Sequence, residues 1–138
     1  LVLNPYGFTN TNTIHRVYFL EKLDDATRKL MAISLLTSFS QLSAELVGRR
    51  YGSGVLKHEP REAEKIRILL PSVDKVAIDK AFKKIDRDLR DGERESAMAR
   101  ADRFIFQAAG VVPWEGVSKH LSNALERIRQ NRRPTRKI

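Results

Sequence analysis

The sequence contains no cysteine, which excludes disulfides, thiolate catalysis and cysteine-ligated zinc or iron-sulfur sites. Its three histidines, His15, His58 and His120, form no ligand pair at helical spacing, so no structural metal is expected. No run approaches the roughly 18 consecutive apolar residues of a membrane span, and the first residues lack the basic-then-apolar layout of a secretory signal. Neither membrane insertion nor export is therefore expected, and the chain reads as cytoplasmic. Glycine and proline are scarce, 7 and 5 among 138 residues, so long helices are possible and the few clusters of these residues carry information. Three of the seven glycines fall between Gly48 and Gly54.

What is abundant is positive charge. Against 17 Asp and Glu stand 26 Lys and Arg, a formal net charge of +9, and such an excess favours polyanionic partners. Much of it is concentrated at one end, because Arg127, Arg129, Arg132, Arg133, Arg136 and Lys137 crowd the last twelve residues with no acid among them. A solvated tail and a direct contact to nucleic acid are both consistent with that pattern.

The chain length suits a single domain. Residues 1–13 are rich in Asn, Thr, Gly and Pro, and Ile14 to Leu20 begin with apolar-polar alternation, a loop entering a strand. Asp24 or Asp25 can cap one long helix whose apolar residues Leu35, Phe39, Leu42 and Leu46 share a stripe, with Gly48 as a left-handed stop. Val55 to His58 form a short strand candidate ended by Glu59-Pro60, followed by a helical turn from Arg61 to Lys65 and the apolar run Ile66 to Leu70. From Ser72 onward only helical periodicity remains. One helix carries Val76 or Ile78, Phe82, Ile85 and Leu89 and ends at Asp91-Gly92. A second runs from Glu93 to Ala109 with Ala97, Ala101, Phe104, Ile105 and Ala108 inward. A third starts near Pro113 with Val117, Leu121, Leu125 and Ile128 inward, and Trp114 plugs its end. The expected fold is α+β and mainly α: residues 1–71 hold a small sheet, a long helix and a glycine turn, and residues 72–138 a three-helix bundle.

The glycine turn carries the chemistry. In Gly48-Arg49-Arg50-Tyr51-Gly52-Ser53-Gly54-Val55-Leu56-Lys57, glycines permit positive φ and close approach, arginines offer a planar fork and tyrosine a stacking face. Arg49, Arg50, Tyr51, Gly52, Gly54 and Lys57 are thus candidate nucleic-acid contacts, together with Arg132 and Arg133 of the basic end. The competing role for Arg49 and Arg50 is to neutralise the carboxyl end of the preceding helix. The turn lacks the Gly-Lys-Ser/Thr ending of a P-loop. No nucleophile with a base in reach can be inferred, so the chain by itself is not expected to be an enzyme.

Read with its flanks, the chain resembles the C-terminal, target-recognition region of bacterial adenine-N6 DNA methyltransferases of type II restriction-modification systems. The likeness runs through Asn10 to Val17, through the helix and turn from Leu35 to Gly54, and through Glu59-Pro60 and Leu69-Leu70-Pro71. It continues in Asp88 to Gly92, Ala101-Asp102 and the finishing helix from Leu125 to Arg133. Ser53 departs from the glycine common in that family. Asn4-Pro5-Tyr6 lacks one proline of the family's Asn-Pro-Pro-Tyr adenine-site block, and no glycine-rich strand-to-helix turn precedes it, so it reads as a turn. The resemblance implies a segment of a larger enzyme that positions double-stranded DNA for an upstream catalytic domain of the same polypeptide. S-adenosylmethionine is then a cofactor of that other domain and not of this one. Two further readings compete: a docking module, which predicts an exposed apolar patch on the bundle, and an RNA-binding protein.

Overall fold

The computed structural model describes residues 3, 4, 6–11, 14–51 and 54–132. Helix α1, Asp25–Leu36, starts where the Asp24 carboxylate accepts the Thr27 N–H at 2.8 Å. It stops at Thr37, whose ψ of 153° leaves the helical region, and α2, Ser38–Val47, sets off at 69° to α1. Where the periodicity implied one long helix there are two, and local hydroxyl chemistry explains the break. Thr37 Oγ1 donates to the Ser34 carbonyl at 2.7 Å and accepts the Ser40 N–H, so it ends one helix and caps the next. The joint is buried and is held from outside by Asp102, whose Oδ1 accepts the Ser38 N–H at 2.7 Å and whose Oδ2 accepts the Ser118 hydroxyl at 2.5 Å. A carboxylate at the positive end of α2 also complements the helix dipole.

The break resets the helical phase. The expected stripe therefore does not survive: Leu35, Phe39 and Leu42 are half-buried, Leu46 is exposed, and α2 buries Ser38, Ser40 and Glu45 instead. After α2 comes a two-stranded antiparallel hairpin of β1, Arg49–Arg50, and β2, Leu56–Lys57, with Arg49 opposite Lys57 and Arg50 opposite Leu56. The one-turn helix α3, Pro60–Ala63, is fixed by a reciprocal capping box between Glu59 and Glu62. Neither Ile14 to Leu20 nor Ile66 to Leu70 is a strand. Among the described residues the first has only a local backbone bond, from the Ile14 N–H to Thr11, and it meets the chain beyond β2 through a side chain, His15 Nε2 donating to the His58 carbonyl at 2.7 Å. The second lies along α1 and α2, giving the Arg67 and Leu69 N–H groups to the hydroxyls of Ser43 and Ser34.

Three amphipathic helices follow as expected: α4, Lys75–Arg90, capped by Asp74; α5, Arg94–Ala108; and α6, Trp114–Arg132. Gly92 and Gly110 end the first two with φ of 82° and 71°. Helix α1 packs on α4 and α5, α2 on α6, and α5 on both α4 and α6. Leu30 and Ile33 of α1 share one core with Ile78, Ile85, Ala97, Ala101, Ile105 and Phe106, so the N-terminal and C-terminal halves are joined by burial. Phe106 takes the inward place expected of Ala108, which is exposed, and Val76 and Leu89 also face outward. Trp114 packs against the edge of the core.

Candidate nucleic-acid interface

Gly48 begins the hairpin in extended conformation, φ −72° and ψ 153°, and not in the left-handed one expected of a helix stop. Its missing side chain matters for a different reason. A Cβ there would fall 2.7 Å from Leu56 Cδ1 and 2.9 Å from His58 Nε2, so glycine lets the returning strand close against the end of α2. His58 then donates to the Ala44 carbonyl at 2.8 Å, sharing it with the Gly48 N–H at 3.1 Å and so tying the returning strand to that helix end.

At the tip, Tyr51 N–H donates to the Val55 carbonyl at 3.0 Å, and Gly54 N–H to the Tyr51 carbonyl at 2.9 Å. Gly54 has a φ of 78°, the positive-φ role anticipated for this turn. Gly52, with Ser53 and Arg133, lies outside the described residues.

The hairpin brings Arg49, Arg50, Tyr51 and Lys57 together. Arg49 and Lys57 are cross-strand neighbours, an unfavourable pairing for like charges, and each is matched to its own acid. Arg49 binds Glu62 at 2.8 Å, and Lys57 binds Glu59 at 2.7 Å. Lys57 first, with a smaller push from Glu62 opposing it, holds the Glu59 carboxyl below its usual value. Burial would raise that of Glu62, but the Arg49 guanidinium and backbone N–H groups together outweigh it and bring it down. The same contacts raise Arg49 and Lys57, so all four groups are charged at neutral pH. Arg50 is exposed and makes no ion pair among the described residues, and the residue that follows it, Tyr51, has a half-exposed ring. An exposed guanidinium and an exposed aromatic ring on one two-stranded ribbon suit phosphate contact, groove insertion and base stacking.

Arg132 reaches the same hairpin from the far end of the sequence. Its Nε and Nη2 form a two-point fork on Glu45, both at 3.1 Å, while its Nη1 donates to the Gly54 carbonyl. Arg129 adds a contact to Glu45 at 3.2 Å and one to Gln41 at 3.0 Å. Glu45 is only 4% exposed, a carboxylate whose burial is tolerable because two guanidinium groups surround it. Glu45 and Glu62 are not singled out by the sequence as site residues, and Arg129 only as part of the basic end. The signal available was an acid on the apolar side of a helix, Leu42-x-x-Glu45-Leu46, which demands a cation once buried. Among the described residues no three His, Asp or Glu side chains converge to hold a metal ion, and no single helix is long and apolar enough to cross a membrane.

Residues 1–106 match the family described as type II methyltransferase M.Eco57I, C-terminal domain. The chain belongs to that family. The hairpin and both its supporting acids, Glu59 and Glu62, lie within the matched part of this methyltransferase domain, and Arg129 and Arg132 lie beyond it. Neither a curated protein nor a solved structure matches the chain.

Proposed function

We propose that this C-terminal domain of a type II methyltransferase recognises DNA, gripping duplex with the β1–β2 hairpin while an upstream catalytic domain methylates adenine at N6. The observation that carries the reading is the meeting of the hairpin with the basic end of α6. Arg132 touches Gly54, so the hairpin that carries Arg50 and Tyr51 and the basic end of α6 belong to one part of the molecule. A two-stranded ribbon fits the major groove, and arginine there can contact phosphates or guanine edges. Division of labour follows from what the chain offers: cationic and stacking groups for holding DNA, but no glycine-rich strand-to-helix turn with a downstream acid for a methyl donor. S-adenosylmethionine is accordingly a ligand of the catalytic domain, and the reaction is cytoplasmic.

The test is duplex binding across a salt series. An Arg50→Ala/Tyr51→Ala variant should bind more weakly, with the log-affinity against log-salt slope shallower by about 0.9 for the one phosphate that Arg50 no longer neutralises. Equal binding by parent and variant at every salt concentration would remove the hairpin from the interface. One observation favours a second reading, docking to a protein partner: Tyr6, Phe8, Tyr18 and Leu20 are strongly exposed in the N-terminal segment. That reading predicts no salt-dependent duplex binding.

A further inference from the structure

A hairpin with two-residue strands has too little pairing to hold its own shape, so its pose must be set by what it leans on. Its base is fixed at Gly48, where the absent side chain admits Leu56, and by the His58 bond to Ala44. Its tip has a different anchor. Gly54, the turn residue with positive φ, gives its carbonyl to Arg132, and Arg132 is oriented in turn by its two-point fork on Glu45. Glu45 is buried and is also bound by Arg129. With Nε, Nη1 and Nη2 all engaged, the Arg132 fork is used inside the protein.

We propose that Glu45 is a positioning residue for DNA recognition: acting through Arg132 on the Gly54 carbonyl, it sets the angle at which Arg50 and Tyr51 are presented to the duplex. This rests on the DNA-recognition reading above. It assigns Arg132 to the support of the hairpin and leaves Arg50 and Tyr51 as the contacting groups. It also inverts a simple electrostatic expectation, because replacing an acid by a neutral residue beside a basic surface should strengthen attraction to a polyanion.

The decisive variant is Glu45→Gln in the whole chain, measured for binding to a duplex oligonucleotide at several salt concentrations. The expected result is affinity weaker by about five- to tenfold, the low end of coupling between linked sites, with the salt slope unchanged since every phosphate-binding group is still present. Binding as tight as the parent's, or tighter, would overturn the proposal. Arg132→Lys keeps the charge but removes the planar fork and should weaken binding in the same way, whereas retention of full affinity would make Arg132 a simple charge and refute its role as a clamp. In an Arg50→Ala/Tyr51→Ala background the Glu45→Gln effect should vanish, and a full additive loss would refute action through the hairpin. Should the parent itself not bind duplex, the DNA reading fails separately. The clamp is then still decided by hydrogen exchange at the Tyr51 and Gly54 amides, which Glu45→Gln should accelerate and which unchanged rates would refute. Thermal melts of each variant establish that it is folded under the assay conditions.

Discussion

Replacing Gly48 by alanine tests how the hairpin is attached to the body. The backbone there is extended, so alanine brings no conformational strain, and any loss must come from the added methyl group. That methyl would stand 2.7 Å from Leu56 Cδ1, 2.9 Å from Leu56 Cγ and 2.9 Å from His58 Nε2. Restoring ordinary contact near 3.4 Å requires a retreat of roughly 0.7 Å by Leu56. His58 cannot retreat without stretching its 2.8 Å bond to Ala44. Overpacking of this kind costs about 1–3 kcal/mol and a weakened hydrogen bond about 1 kcal/mol; since the two share one displacement, about 2 kcal/mol in total is the expectation. For a chain of this size that lowers Tm by roughly 6–8 °C, measurable by calorimetry. Leu56→Ala in the same background should recover part of the loss by removing the nearest atoms, so the two changes should be non-additive. An unchanged Tm for Gly48→Ala would refute the close-approach argument, and strict additivity with Leu56→Ala would locate the strain elsewhere.

Two further expectations concern stability. Asp79 is held down at about 2 by Lys29 and then Lys83, and Asp24 well below the usual carboxylate range by Lys75 and Thr27. Both folded values lie under the unfolded value of 3.8, so the stabilisation is complete above that pH and is lost as pH falls toward 2. Asp79→Asn should therefore flatten the acid limb of a Tm-against-pH curve between about pH 4 and pH 2, and an unchanged limb would show that these pairs do not contribute. The buried hydroxyl of Ser38 has no hydrogen-bond partner among the described residues, so Ser38→Ala, which keeps the N–H bond to Asp102, should leave Tm unchanged or raise it. A clear drop in Tm would mean that the hydroxyl is satisfied in solution.

Helices α4, α5 and α6 could be read from the sequence because their signals are local: apolar spacing, Gly92 and Gly110 as stops, and Pro113 at the start of the last. The α1–α2 break could not, since Thr37 sits inside an otherwise helical pattern. What makes it a corner is Asp102, 64 residues further on, accepting the Ser38 N–H. The same holds at the hairpin. Its basic and glycine residues stand out in the sequence, but the roles of Gly48 and Arg132 depend on Leu56, Glu45 and Gly54, and only the folded chain brings these together. The N-terminal alternation promised a strand, but that segment meets the chain beyond β2 through the His15 ring and not through a backbone ladder, a contact no local pattern announces.

The family match ends at residue 106, inside α5, yet the physical unit does not end there. Everything α6 contributes points back across that line: Ser118 to Asp102, Arg129 and Arg132 to Glu45, Arg132 to Gly54, and the fully packed Leu125 to the interior. A piece cut at residue 106 would keep the whole stretch that matches the family while stranding a buried carboxylate without its cations, an outcome worth about 3–5 kcal/mol when a buried pair loses one partner. The boundary that similarity draws around this domain is therefore narrower than the boundary that folding requires.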